Sequence, residues 1–165
     1  MKKQKGFSLI ELLIVVAIIL IIAAIAIPNL LRARMAANES SAVGSLRTIN
    51  TAEVTYNSTY PNIGYSPDLI SLGGAPNVAC VPAQATACLI DNVLSAGTKS
   101  GYNFAAASVA GGPPTVSYEA SATPVTLNQT GTRSFCSFED AVVRVNPAGT
   151  LVANVAACQT QAPLN

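Results

Sequence analysis

Apolar and polar positions follow three successive patterns along the chain. Residues 12–27, LLIVVAIILIIAAIAI, form an unbroken apolar run of 16. Behind it Leu31, Met35, Ala42, Leu46, Ile49 and Tyr56 recur at three-, four- or seven-residue spacing. That is the stripe of an amphipathic helix, with Arg32, Arg34, Glu39, Arg47 and Glu53 assigned largely to its other faces. Pro28 interrupts helical bonding locally, yet the periodicity resumes, so one helix from Phe7 to about Ser58 is predicted. At 1.5 Å per residue it would be about 75–80 Å long. No compact domain of 165 residues buries such a helix, so its front half is expected to project and its back half to pack under a head.

The remainder predicts that head. Ser66-Pro67-Asp68 followed by Leu69–Leu72 and Gly73-Gly74 carries the start and stop signals of a short helix. Residues 75–98 read as a loop with one further turn near Leu89–Leu94. Strands are predicted at Gly101–Ser108, at Thr115–Ser121 with Val116, Tyr118 and Ala120 on one face, at Arg133–Phe138, at Ala141–Val145 and at Leu151–Val155. Gly111-Gly112-Pro113-Pro114 and Asn146-Pro147-Ala148-Gly149 are the turns between them. Short strands with tight turns imply an antiparallel sheet, one face of which covers the amphipathic half-helix. The fold class is α+β: residues 7–30 form the apolar half of the helix, 31–60 its amphipathic half, 61–98 a connecting loop, and 99–165 the sheet.

Composition narrows the chemistry. Half the residues are apolar, a tenth are charged, and the net charge is +1. No direct nucleic-acid binding is expected, because no basic stripe lies beyond the N-terminus. Histidine is absent, which removes the commonest general base and metal ligand together with any Ser-His or Cys-His pair. The chain is therefore not expected to be an enzyme, and no cofactor is implied. Four cysteines, Cys80, Cys88, Cys136 and Cys158, allow three pairings. The favoured one joins Cys80 to Cys88 in a small loop and Cys136 to Cys158, tying the C-terminal tail to the sheet. No metal site is expected, since there is no C-x-x-C pair. Glu139 and Asp140, with Asn146 not far along, fall short of the six or more oxygens that calcium takes. The aromatics are few and scattered in sequence and give no case for an electron-conducting path.

Lys2, Lys3 and Lys5 precede the apolar run and direct the N-terminus to the cytoplasm. The run continues past the small residues Ala23, Ala24 and Ala26, unlike an ordinary cleaved secretory signal. A plain anchor fits the length but leaves Glu11 unexplained.

Gly6-Phe7-Ser8-Leu9-Ile10-Glu11-Leu12 closely resembles the processing motif of type IV prepilins and type II secretion pseudopilins, and Pro28 falls where that family commonly has its proline. The resemblance covers about residues 5–60. It implies that residues 1–6 are a leader, cut between Gly6 and Phe7 by a prepilin peptidase, with N-methylation at Phe7. It implies assembly through Phe7, Glu11 and Pro28, with copies of the same chain as partners in a helical filament. An inner-membrane assembly platform and its ATPase are the further partners it implies. The protein would span the inner membrane once before assembly and lie in an extracellular pilus afterwards. The Cys136–Cys158 pair resembles the C-terminal disulfide loop of many such pilins. The residues support this independently, because cleavage after Gly6 places an amine four residues before Glu11, on the same helix face. A structural pilus subunit is expected; a periplasmic pseudopilus subunit is the alternative.

Overall fold

The computed structural model describes residues 7–109 and 111–164. Helix α1 spans Leu9–Thr59 without a break at Pro28. The described residues fall into two compact units, one ending at Arg34 and one beginning at Met35. In the first unit the side chains are exposed, apart from the half-buried Ala23. A helix that is apolar on all sides is stable only when lipid or other protein surrounds it.

In the second unit α1 is amphipathic, and its buried face begins at Glu39. Ala42, Leu46, Ile49, Ala52 and Tyr56 form the helix side of the core. Leu31 is exposed and Met35 half-buried, so the predicted stripe is covered only over its later part. Beyond α1 come α2 (Leu69–Gly73) and α3 (Asn92–Ser95), then β1 (Thr98–Lys99), β2 (Tyr102–Val109), β3 (Ser117–Pro124), β4 (Ser134–Phe138) and β5 (Arg144–Asn146). Helix α4 (Val155–Gln159) and β6 (Ala162–Pro163) complete the chain order. The six strands form one antiparallel sheet in the order β1-β2-β3-β4-β5-β6. The fold is α+β, one long N-terminal helix whose later part packs on an antiparallel sheet.

Alternation along the strands explains the packing. On β2, Tyr102, Phe104 and Ala106 are buried; on β3, Tyr118, Ala120 and Ala122 are. Val116 precedes β3 and is exposed, so the predicted face shifts towards the C-terminal end of the strand. All five residues of β4 are buried. Phe135 joins the core beneath α1, while Cys136 and Phe138 join a second cluster with Val152 and Cys158. The C-terminal segment thus covers the opposite face of β4.

That cover overturns one expectation. Leu151–Val155 is not a strand: it is irregular and leads into α4, and β5 takes Ala162–Pro163 as its neighbour instead. Asn154 starts α4 by accepting a hydrogen bond from the Ala157 N–H at 2.8 Å. A disulfide joins Cys158 in that helix to Cys136 on β4. Helix α2 also starts later than its signals imply. Its cap is Asp68, which accepts from the Ser71 N–H at 2.7 Å, because the Ser66 side chain is engaged by α1.

Candidate functional site

At the start of α1, Ser8 is the cap and Glu11 occupies the first turn. The Ser8 carbonyl accepts the Leu12 N–H at 3.2 Å, and the Ser8 N–H donates to Glu11 Oε2 at 2.9 Å. The carboxylate reaching back to the cap is one arm of a capping box, and negative charge in this turn suits the helix dipole. Sequence reasoning paired Glu11 only with Phe7; Ser8 was missed, although S-x-x-E directly before an apolar run is its signal. Glu11 and Phe7 are both exposed, as is Pro28. Gly6 and the rest of the leader, residues 1–6, lie outside the described residues.

From Leu9 to Leu31 every large apolar side chain of α1 is exposed. This part of the helix is long and apolar enough to cross a membrane. A single carboxylate thus stands at the head of an apolar stem.

In the second unit two glutamates assigned by pattern to the outer faces of the helix are buried instead, and each has a specific partner. Glu39 is 6% exposed. Its Oε1 accepts from the Thr132 N–H and Oγ1, both at 2.8 Å, and from the Arg133 N–H at 3.2 Å. Its Oε2 accepts from Arg133 Nε at 2.9 Å and Nη2 at 2.6 Å. Burial pushes the Glu39 carboxyl up, but the Thr132 and Arg133 donors outweigh it and hold the pKa below the ordinary value. Glu53 is 0% exposed, and its partner among the described residues is Ser66. Between them Asn50 donates to Ser137 Oγ at 2.9 Å and to the Ala141 carbonyl at 3.1 Å, and accepts from the Tyr118 hydroxyl at 3.1 Å. These contacts tether α1 at separate points, to β4 and the chain flanking it, to β3 and to the segment before α2. Among the described residues no buried side-chain polar atom lacks a partner.

Four of the five tyrosines are gathered by the fold into two pairs. Tyr56 meets Tyr60 with ring centres 4.9 Å apart, and Tyr65 meets Tyr118 at 4.8 Å. Cys80 is joined to Cys88 across the exposed loop, as Cys136 is to Cys158. The acids considered for calcium are otherwise occupied: Asp140 pairs with Arg144 at 2.6 Å, and Glu139 accepts from Ser117 Oγ. No group of three or more potential metal ligands occurs among the described residues.

An apolar, lipid-length helical stem with an acid at its head, continuous with an amphipathic helix on an antiparallel sheet, defines the architecture of a pilin. The sequence comparisons agree. The family model for the prokaryotic N-terminal methylation motif matches residues 1–27. The type IV wide pilus major component PilA4 of Thermus thermophilus is 41% identical over 93 residues, covering 54% of this chain and 66% of that protein. The type IV major pilin protein PilA of Myxococcus xanthus is 40% identical over 73 residues, covering 40% of this chain and 33% of that protein. The chain thus spans only part of the length of either relative. No solved structure matches it. The chain thus carries the prokaryotic N-terminal methylation motif and is similar over part of its length to type IV pilins.

Proposed function

We propose that this chain is the structural subunit of an extracellular type IV pilus. A prepilin peptidase cuts between Gly6 and Phe7, and Phe7 is N-methylated. The apolar half of α1 holds the subunit in the inner membrane until an assembly platform and its ATPase move it into a filament of identical copies. The observation that carries this reading is the stem itself, with its large apolar side chains exposed from Leu9 to Leu31 behind one glutamate. In the bilayer, lipid covers that surface; in the filament, the stems of neighbouring copies do.

The position of Glu11 fits both states. A carboxylate at a membrane centre costs about 2.5–3.5 kcal/mol on insertion scales, and Glu11 lies near one end of the apolar run, where the cost is smaller. In a lipid-free bundle an unpaired charge becomes strongly destabilising. The amine released on Phe7 by cleavage, on a neighbouring copy, is the cation that relieves it. The role is structural rather than catalytic.

Shearing of surface filaments tests the assignment. The sheared fraction is expected to consist mainly of this chain, beginning at Phe7. A protein confined to the periplasm would overturn the pilus reading, and a mature chain retaining residues 1–6 would overturn the processing step.

A further inference from the structure

Glu53 lies buried inside the second unit, and no cation among the described residues pairs with it. Its Oε2 accepts from the Ser66 N–H at 2.9 Å, and its Oε1 lies 2.6 Å from Ser66 Oγ. Ser66 is itself fully buried, and its Oγ lies 3.3 Å from the Asp68 carbonyl. The ion pairs among the described residues are Asp91–Lys99, Glu39–Arg133 and Asp140–Arg144, and Glu53 joins none of them. The titratable groups that sense it are Tyr56 on α1 and Tyr118 on β3. Tyr60 and Asp68 lie around Tyr56, and Tyr65 and Asp140 around Tyr118. All six are neutral or acidic, so none compensates a carboxylate.

A buried charge so placed is costly, whereas a carboxylic acid is fully satisfied. Protonated, Glu53 donates from Oε1 to Ser66 Oγ, and the Ser66 hydroxyl is free to donate to the Asp68 carbonyl. The Ser66 N–H still donates to Oε2. Ionised, Glu53 needs the Ser66 hydroxyl for itself, and the Asp68 carbonyl loses that donor and keeps only the intrahelical bond that an N-cap carbonyl accepts. That carbonyl lies directly before α2, whose Leu69 and Leu72 are in the core. Gly64, at φ +87°, crosses the Thr115 backbone so closely that a Cβ would collide with it. The segment is thereby pinned on one side and depends on Glu53 on the other.

We propose that Glu53 and Ser66 form a proton-held latch between α1 and residues 60–74, tight while the carboxyl carries its proton and loosened when the proton leaves. Burial, against the two Ser66 hydrogen bonds, raises the Glu53 pKa from 4.5 to about 7. Opening exposes the group and returns it to its ordinary value. The opening constant therefore rises by up to about tenfold per pH unit across that interval and levels off above it. No side chain of ordinary pKa changes charge in that window, because the chain has no histidine. Glu119 on β3 is the other glutamate that burial pushes up, against a hydrogen bond from the Val155 N–H.

Amide hydrogen exchange of the full chain in detergent micelles, corrected for the intrinsic pH dependence of exchange, tests the latch. Between about pH 5 and about pH 7.5 the opening constant of residues 60–74 should rise roughly tenfold or more. In Glu53→Gln it should stay within about twofold, since Gln retains an acceptor for the Ser66 N–H and a donor for Ser66 Oγ but cannot ionise. Glu119→Gln should respond as wild type. A flat wild-type response, or a full response in Glu53→Gln, overturns the proposal. Carboxyl-carbon NMR of the wild-type chain gives an answer independent of any variant. One glutamate should titrate near 7; titration of every glutamate in the ordinary range overturns the latch.

Discussion

Arg133 grips Glu39 through both Nε and Nη2, at 2.9 and 2.6 Å from the same carboxylate oxygen, while Thr132 gives its N–H and hydroxyl to the other. One carboxylate on α1 thereby holds the chain leading into β4. The Arg133 side chain is much the more exposed of the pair. Glu39→Ala strips the acceptor from the Thr132 N–H and hydroxyl, and is expected to destabilise by about 2–4 kcal/mol. Arg133→Ala leaves Glu39 with the Thr132 donors and should cost about 1–2 kcal/mol. Denaturant melts of the two variants check the order; a larger loss in Arg133→Ala would contradict it.

Stability should peak in mildly acidic solution, because the two buried glutamates of α1 oppose each other. Glu39 is held below its ordinary pKa. The folded state therefore binds its proton less readily than the unfolded chain, and its contribution is lost as pH falls through the lowered value. Glu53 is raised from 4.5 to about 7, so its contribution is complete below 4.5 and is lost as pH rises through 7. That loss is on the order of 3 kcal/mol. Thermal melts across pH should show a maximum near about pH 5. Glu53→Gln should keep the acid limb and flatten the neutral one.

Asn50→Ala should cost about 2–3 kcal/mol, since it removes the partner of Ser137, the Ala141 carbonyl and the Tyr118 hydroxyl at once. Tyr118→Phe in the Asn50→Ala background should then cost little further, because the hydroxyl has already lost its acceptor. A double-mutant cycle reads the coupling; strict additivity would show that the contact carries no energy.

Loss of the two disulfides should be unequal. Cys136–Cys158 spans 22 residues and Cys80–Cys88 spans 8. The loop-entropy model gives about 3.4 and 2.5 kcal/mol respectively. Cys136 and Cys158 are also packed with Phe138 and Val152, so the paired Cys→Ala change there adds a packing loss. Melting of the two double-alanine variants measures the difference, and equal shifts would refute the packing contribution.

Glu11 has two separable roles, helix cap and charge. Glu11→Gln keeps an acceptor for the Ser8 N–H but not the charge, whereas Glu11→Val loses both. If the charge pairs with the amine of a neighbouring Phe7, both variants should insert, be cleaved and assemble poorly. Filament yield from cells expressing each variant alone reads this out. Wild-type yield from Glu11→Gln would show that the cap suffices.

The parts of this fold that were legible are those set by local periodicity. The long helix, β2, β3 and β4 follow from patterns within a few residues. The buried glutamates were not legible, because a charge on a helix reads as solvated unless its partner is known. The partners of Glu39 lie at Thr132 and Arg133, and that of Glu53 at Ser66. Leu151–Val155 was misread for a related reason. Its Leu-Val-Ala-Asn-Val alternation suits a strand, but Asn154 starts a helix and Cys158 is drawn to the far face of β4. Ser8 alone was within reach of local reasoning.

Because β4 is covered on both sides, its alternation acts as a parity check on the folded head. Only one parity sets Ser137 against Asn50 while presenting Cys136 to Cys158. A slip by one residue would exchange every side chain between the two faces, leaving the thiol under α1 and out of reach of its mate. Oxidation of that pair therefore certifies a correctly threaded strand, so that a covalent bond at the C-terminal end records whether the sheet beneath the helix was assembled in register.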